Sequence, residues 1–425
     1  MTTINRTRVL YCDLHGLPRG KYVRPAFAEG GSIGFSRDVF AVTLDRDLIM
    51  VPGTGVEEGM PNMNLVPDDT FRKSWQEGTN IALGDLYSGG EPFGLCARTS
   101  LKRAIADFES PLGLTPKVGI EFEAYAYQQD EDGVWRPYDT PGAFVYGTGP
   151  YNDPRGLMDA LWNTALEADI PLESLNGEYD NGQFEMTLCF DNALKACDDA
   201  FLFRTMAREV AAGLGLMLTF LPKPVPDRGG SGLHVNFSFL DKDGTNVICQ
   251  DGKLSDLARR CIAGLIHHHE SLSGLLATTV NSYERLVPAS MAGYWANWAE
   301  DHRLVAVRTS TSSTHSARLE HRMADAATNP YLAVATVLHT ARLGIGNDYD
   351  LPPEEDLDGL EQTRATRHVP SSLPRALDAL AGNRLVQQTV GELLCAALIE
   401  LKRDEAKRLS GKSADEIRDY YMPFI

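Results

Sequence analysis

Four stretches of this chain alternate apolar and polar side chains with a period of two, the pattern of a strand with one oily and one polar face. In "KVGIEFEAYAY", Val118, Ile120, Phe122 and Ala124 share one face, and Glu121 and Glu123 share the other. In "GQFEMTL", Phe184, Met186 and Leu188 oppose Gln183, Glu185 and Thr187, with Glu178 just upstream. In "GLHVNFSF", Leu233, Val235, Phe237 and Phe239 oppose His234, Asn236 and Ser238. In "ARLEHRM", Leu319 and Met323 oppose Arg318, Glu320 and Arg322.

Ahead of these strands, the first hundred residues predict short strands broken by glycine and proline. "RVLYCDLHGLPRGKYVRP" reads as a hairpin turning near Gly16–Gly20, and "DRDLIMVPG" as a strand ending at Pro52. The texture changes near Arg98, where Ser100 is a candidate N-cap for a helix through "LKRAIADFE". We place a domain boundary there, giving segments 1–98 and 99–425. Asn329 and Pro330 read as an N-cap and first helical residue. The acidic stretch 348–362, with its proline pair, reads as an exposed loop. Strands and helices mix without regular βαβ alternation, which predicts an α+β fold.

Length and charge narrow the function. At 425 residues the chain is too long for one small core. Its net charge of -18 argues against nucleic acid or an anionic membrane as partner. The seven cysteines are scattered, with no C-x-x-C pair, and read as reduced thiols of a cytoplasmic protein. No stretch approaches the run of about 20 apolar residues that a membrane span needs, and the N-terminus lacks a signal-peptide pattern. His267, His268 and His269 are adjacent, so on a helix they diverge and read as partly exposed surface.

One polar strand face is ordinarily just solvated. The acidic pair is less comfortable. Glu121 and Glu123 are two strand residues apart, roughly 6.6 Å, and at an effective dielectric near 20 their repulsion is about 2–3 kcal/mol. If the polar faces converge in a cleft, cations must offset that cost. Carboxylates plus one histidine suit Mg²⁺ or Mn²⁺, and the neighbouring arginines suit phosphate and carboxylate groups. The four faces together describe a site for metal, phosphate and a carboxylate substrate.

The same segments carry ordered motifs. They are the E-x-E at 121–123, "EYDNGQFE" at 178–185, "LPKP" at 221–224 and "GGSGLHVNFS" at 229–238. "NSYERLVP" at 281–288 and "RLEHRMADAATNPYLA" at 318–333 follow, then "YDLPPE" from Tyr349 and the terminal "LPRALDAL" and "IELKRDEAKR". In this order and across nearly the whole chain they resemble the glutamine synthetase family. The resemblance implies a small N-terminal β-grasp-like domain before a catalytic domain built on a curved antiparallel sheet. It also implies ATP, Mg²⁺ or Mn²⁺, and a homo-oligomer, a dodecamer of two hexameric rings.

Roles are implied position by position. Glu123, Glu178 and Glu185 match the ligands of one metal, and Glu121, His234 and Glu320 those of a second, on the ATP phosphates. Arg285, Arg322 and Gly230 match contacts to L-glutamate. Arg303, Arg308 and Arg318 match arginines on the nucleotide phosphates and the transferring phosphoryl group, and Phe190 and Ser238 match nucleotide contacts. Tyr349 matches a tyrosine that some bacterial members adenylylate, although a plain loop tyrosine is the simpler expectation.

The chain departs from the family at two places. The loop after "VP" reads "VPASMAG", with Met291 where synthetases that use ammonium carry a glutamate. "GGSIGFSRDVF" stands where they carry a D-G-S-S segment. Ser36, Glu29 or Asp38 could align near the second position; at the first, the carboxylate that would hold and deprotonate ammonium is replaced by methionine, an apolar, adaptable wall. The expected reaction is ATP-dependent joining of the glutamate γ-carboxylate to an organic amine through γ-glutamyl phosphate. Two other readings stay open: a glutamine synthetase using ammonium, and a non-catalytic structural or regulatory member. The second would require lost ligands, and all six matched positions are Glu or His.

Overall fold

The computed structural model describes residues 3–425. Eight short strands occupy the first part of the chain: β1 Arg6–Cys12, β2 Pro18–Val23, β3 Ile33–Ser36, β4 Asn62–Pro67, β5 Arg72–Lys73, β6 Thr79–Ala82, β7 Gly84–Ser88 and β8 Glu91–Pro92. They form two four-stranded sheets, ordered β2-β1-β6-β5 and β3-β4-β7-β8. The expected β1–β2 hairpin is present. Its turn falls at residues 13–17, because the Asp13 carboxylate accepts bonds from the backbone N–H groups of His15 and Leu17, both at 2.9 Å. The strand expected over 45–53 does not form. That segment turns back on itself through the single bridge Val42–Leu48; Leu48 and Met50 stay exposed, while Val51 is buried in the core.

The first long helix runs Ala97–Leu112, starting before the expected Ser100 cap. Ser100 is buried instead, and its hydroxyl donates to the Val390 carbonyl at 2.6 Å. With the helix begun at Ala97, Ser100 lies inside its first turn, its own N–H bonded to the Cys96 carbonyl at 3.2 Å. Asn329 does cap its helix, Pro330–Gly346, accepting from the N–H groups of Tyr331 and Leu332.

Twelve further strands follow: β9 Thr115–Gln129, β10 Trp135–Pro137, β11 Leu172–Gly177, β12 Gln183–Leu188, β13 Asp191–Asn192, β14 Leu216–Thr219, β15 Leu233–Leu240, β16 Cys249–Gln250, β17 Lys253–Leu254, β18 Trp298–Glu300, β19 Val307–Ser310 and β20 Arg318–His321. Ten of them make one large sheet. Its main order is β11-β12-β9-β15-β20-β19-β18, and the long β9 also pairs with β10, β13 and β14. Every pair is antiparallel except β18–β19, which run parallel across the short link 301–306.

The apolar faces form the core as the alternation predicts. Val118, Ile120, Phe122, Ala124, Met186, Val235, Phe237 and Leu319 are all at most 1% exposed. Phe122 packs edge-on against Phe220, ring centroids 5.4 Å apart, and is stacked on Phe203 of the helix Ala193–Gly213 at 6.4 Å. Burying each such side chain contributes about 1.5–3 kcal/mol, which anchors the strands whatever their other face carries.

Two expectations about surface segments change. The helix Asp256–His267 ends at His268, and a new helix, His269–Leu276, begins beyond it. His267 is exposed, whereas His268 and His269 are buried. Tyr349 lies flat over His267, rings 4.0 Å apart, and its hydroxyl meets His268 Nε2 at 3.1 Å. The loop 348–362 is likewise not all exposed. Glu355 is buried and accepts bonds from Asn297 Nδ2, Thr363 Oγ1 and the Arg364 N–H, which pins the loop to the body. Among the described residues no helix is long and apolar enough to cross a membrane.

Arg98 joins the early strands to the helices. Its guanidinium reaches Asp68, Asp85 and Asp198, and the Tyr331 hydroxyl donates to Asp198 at 2.7 Å. Arg98→Met removes a buried cation and leaves these carboxylates facing one another. We expect a loss of about 3–5 kcal/mol, measured by urea unfolding at neutral pH.

Candidate active site

Strand register brings the polar faces together. Glu123 stands opposite Glu185, and Glu121 opposite His234. On the next strand Glu320 pairs with Asn236 on one side and Arg308 on the other. The result is two clusters side by side. In each of the sets Glu121, His234, Glu320 and Glu123, Glu178, Glu185, one ligand atom from every residue lies within 4.8 Å of the others. These are the two ligand sets implied by the sequence, brought together by neighbouring strands.

The clusters differ electrically. Burial acts to raise the Glu121 carboxyl, but the His234 hydrogen bond, the charges of His234 and Arg322 and the Asn236 amide outweigh it and hold it near 2. His234 Nδ1 contacts Glu121 Oε2 at 3.2 Å, and Asn236 Nδ2 donates to Glu121 Oε1 at 2.9 Å. Glu320 is bonded by Arg308 and Arg322. The other cluster lacks such cover. Burial, then the charges of Glu121, Glu178 and Glu123, push the Glu185 carboxyl up to about 8. Burial and the Glu123 charge raise Glu178 as well. Such carboxylates hold protons when no cation is near and give them up to a divalent ion.

The donor sets fit Mg²⁺ or Mn²⁺. Three carboxylates suit a hard ion, and two carboxylates with an imidazole suit either metal. His234 is 3% exposed, and among the described residues its Nε2 has no hydrogen-bond partner although it lies 3.9 Å from Glu123 Oε1. Glu123 Oε2 accepts from the Gly232 N–H at 2.6 Å, and Glu178 Oε2 from the Tyr179 N–H at 3.0 Å. Each therefore keeps lone pairs for a ligand.

The arginines line the same cleft. Arg285 is buried and donates to the Met323 and Arg322 carbonyls at 2.9 and 3.2 Å. Burial lowers its pKa, with the Glu123 charge opposing. Its stem and head crowd the glycine loop: a Cβ on Gly230 would meet Arg285 Cγ at 2.6 Å, and one on Gly232 would meet Arg285 Nη2 at 2.6 Å and His234 Nε2 at 2.9 Å. Arg322 is buried and holds the Met291 carbonyl at 3.2–3.3 Å, which places the half-exposed Met291 at this end of the cleft. Arg318 Nε donates to Asn236 Oδ1 at 3.0 Å.

Beyond Glu121 the cleft opens into a cavity of about 230 Å³ lined by Phe190, Ser238, Arg318 and Asn236. Lys117 and His315 also line it; neither was singled out from the sequence. Lys117 was legible, since it alternates onto the same face as Gly119, Glu121 and Glu123. His315 belongs to the irregular segment before β20 and carried no periodic signal. Arg303 is exposed in the link between β18 and β19, where its charge, like those of Arg308 and Arg318, acts on Asp301.

Comparison with known proteins gives a consistent picture. Residues 94–421 match the glutamine synthetase catalytic-domain family. The chain is 32% identical over 378 residues to a glutamate–isopropylamine ligase of Pseudomonas sp, covering 84% of this chain and 81% of that protein. It is 31% identical over 414 residues to the gamma-glutamylputrescine synthetase PuuA of Escherichia coli (strain K12), covering 93% and 87%. A glutamine synthetase of Pyrococcus abyssi (strain GE5 / Orsay) is 28% identical over 406 residues, covering 94% and 89%. Among solved structures, a GmaS/ADP complex superposes with a TM-score of 0.85 at 26% identity, covering 98% of this chain and 96% of that one.

The unequal clusters make a prediction about the metal-free protein. A carboxyl raised in the fold binds its proton more tightly folded than unfolded. Its contribution to stability is therefore lost as pH rises from the ordinary carboxylate range to about 8. Glu185→Gln should raise the metal-free Tm at pH 8 by about 2–4 °C and remove most of the further rise on adding Mg²⁺ or Mn²⁺, read by differential scanning fluorimetry.

Proposed function

The chain belongs to the glutamine synthetase family, and we propose that within it the protein joins the γ-carboxylate of L-glutamate to an organic amine at the expense of ATP. Family members use ATP and divalent metal ions, and the chain is a glutamate–amine ligase in general. The observation carrying the finer reading is the paired clusters beside Arg285, Arg322 and an apolar Met291.

Each group then has a task. Glu123, Glu178 and Glu185 hold one divalent ion, and Glu121, His234 and Glu320 the other. These ions, when bound, supply charge neutralisation on the phosphates. Arg285 and Arg322 grip the glutamate carboxylates, with Gly230 at its amino group. Phe190, Ser238 and Arg308 hold the nucleotide, and Arg303 and Arg318 steady the phosphoryl group in flight. The γ-carboxylate oxygen attacks the γ-phosphorus, the bond to the β-phosphate oxygen breaks, and ADP leaves. The amine nitrogen then adds to the acyl carbon, phosphate departs, and the nitrogen loses a proton to give the amide.

An ammonium ion wants a carboxylate beside it as charge partner and base. Met291 offers an apolar wall there, which favours an amine with a carbon body. The same reading makes the protein a cytoplasmic homo-oligomer, a dodecamer of two hexameric rings, with residues 1–98 as a β-grasp-like domain and 99–425 as the catalytic domain.

The test is phosphate release with ATP, L-glutamate and Mg²⁺ or Mn²⁺ across an amine panel, with mass detection of product. The panel holds ammonium, methylamine, isopropylamine, ethanolamine, putrescine, spermidine and aniline. We expect a γ-glutamyl amide from at least one organic amine at tenfold or more the kcat/KM of ammonium. Glutamine as the only product would make this a glutamine synthetase with an unusual gate.

A further inference from the structure

Asn281 stands immediately before the short helix Ser282–Arg285, where an asparagine side chain ordinarily accepts from the first backbone N–H groups. Here it makes no such bond. Its amide turns instead to the "LPKP" segment, far away in the chain. The Lys223 N–H donates to Asn281 Oδ1 at 2.7 Å, and Asn281 Nδ2 donates to the Lys223 carbonyl at 3.0 Å. One amide thus satisfies both backbone groups of one residue, and at 5% exposure it does so with little competition from water.

What this clamp holds is the glycine loop. Pro222, next to Lys223, accepts from the buried Ser231 N–H at 2.8 Å. A Cβ on Gly230 would meet the Pro222 carbonyl at 2.8 Å and Arg285 Cγ at 2.6 Å. Gly230 is therefore wedged between the Pro222 carbonyl and the stem of Arg285. Its own carbonyl accepts from Gln183 Nε2 at 2.9 Å and keeps a second lone pair.

The other jaw of the clamp is equally fixed. The Glu284 N–H donates to the Asn281 carbonyl at 3.1 Å, and the Val280 N–H to the buried Tyr421 hydroxyl oxygen at 3.1 Å. Arg285 ends the same short helix, with its guanidinium on the Met323 and Arg322 carbonyls. Among the described residues no other hydrogen bond joins 221–224 to 280–285. The two Asn281 bonds thus link the backbone that carries Gly230 to the helix that carries Arg285.

We infer that Asn281 is a positioning residue for L-glutamate: its amide sets the spacing between Gly230, at the amino group, and Arg285, at a carboxylate. The inference rests on the glutamate–amine ligase reading above. A ligand held at two points loses affinity when those points shift relative to each other. Glutarate has both carboxylates and no amino group, so it can follow Arg285 without needing Gly230. It therefore reports on one contact without the other.

The test is calorimetric binding of L-glutamate, glutarate and ADP, with Mg²⁺ present, to the wild type, Asn281→Ser and Asn281→Leu. Serine is neutral and too short to meet both Lys223 groups, and leucine meets neither. The wild type should bind L-glutamate more tightly than glutarate. Asn281→Leu should raise the L-glutamate Kd about tenfold and the glutarate Kd less than threefold, with the ADP Kd within twofold of wild type. Asn281→Ser should shift the same way by a smaller factor, and it decides alone if the leucine variant does not fold. Ser100→Ala, which removes a buried bond of the helical layer, should lower Tm and leave the ratio of the two Kd values unchanged. Lost stability is thereby told apart from lost positioning. An unchanged ratio in the Asn281 variants overturns the inference, as does an ADP Kd that rises in step with that of L-glutamate. A wild type that binds no L-glutamate overturns the ligase reading and this inference with it.

Discussion

The site depends on one constraint: antiparallel register among β12, β9, β15 and β20 puts like charges next to each other and keeps them there. Glu123 faces Glu185 and Glu121 faces His234 because every second residue of these strands is buried on the far side. Sliding any strand by one residue would drive its carboxylates into the core and its phenylalanines into the cleft. The apolar faces thereby hold an arrangement that electrostatics alone would disperse. Repulsion of about 2–3 kcal/mol per close pair is smaller than the burial that fixes the strands.

Compensation is uneven across the cleft, and the unevenness is informative. The cluster at Glu121 and Glu320 has His234, Arg308 and Arg322 at hand. At Glu178 and Glu185 burial and the neighbouring carboxylates outweigh the backbone N–H bond and the more distant His234 charge, so these groups are pushed toward the protonated form. A divalent ion resolves that tension more completely than protons do. The segment that carries Glu178 and Glu185 also supports the glycine loop, through Gln183 to the Gly230 carbonyl and Asp180 from the Gly229 N–H.

Some of this was legible from periodicity. The strand faces and the Asn329 cap follow from which residues alternate and from short-range hydrogen bonding, whereas the grouping into two ligand sets was implied by the family resemblance. Other expectations failed where a distant partner decided the outcome. Ser100 gave its hydroxyl to the Val390 carbonyl instead of capping a helix. "DRDLIMVPG" looked like a strand, but its pairing stops at the single bridge Val42–Leu48. Glu355, in a run of acids that read as exposed, is buried because Asn297, Thr363 and Arg364 bond its carboxylate.

The sequence by itself determined which face of each strand is oily and which is charged, because a period of two is a local property of the backbone. Its ordered motifs also pointed to the family. Only the tertiary structure decided which carboxylates share a cluster, how strongly each is compensated, and that Tyr146 is bonded to Gly177, next to Glu178. Those facts depend on register and on bonds between residues far apart in the chain, such as Thr140 with Asn181 or Gln183 with Gly230. No local pattern encodes such pairings, since their energy exists only once the strands have met.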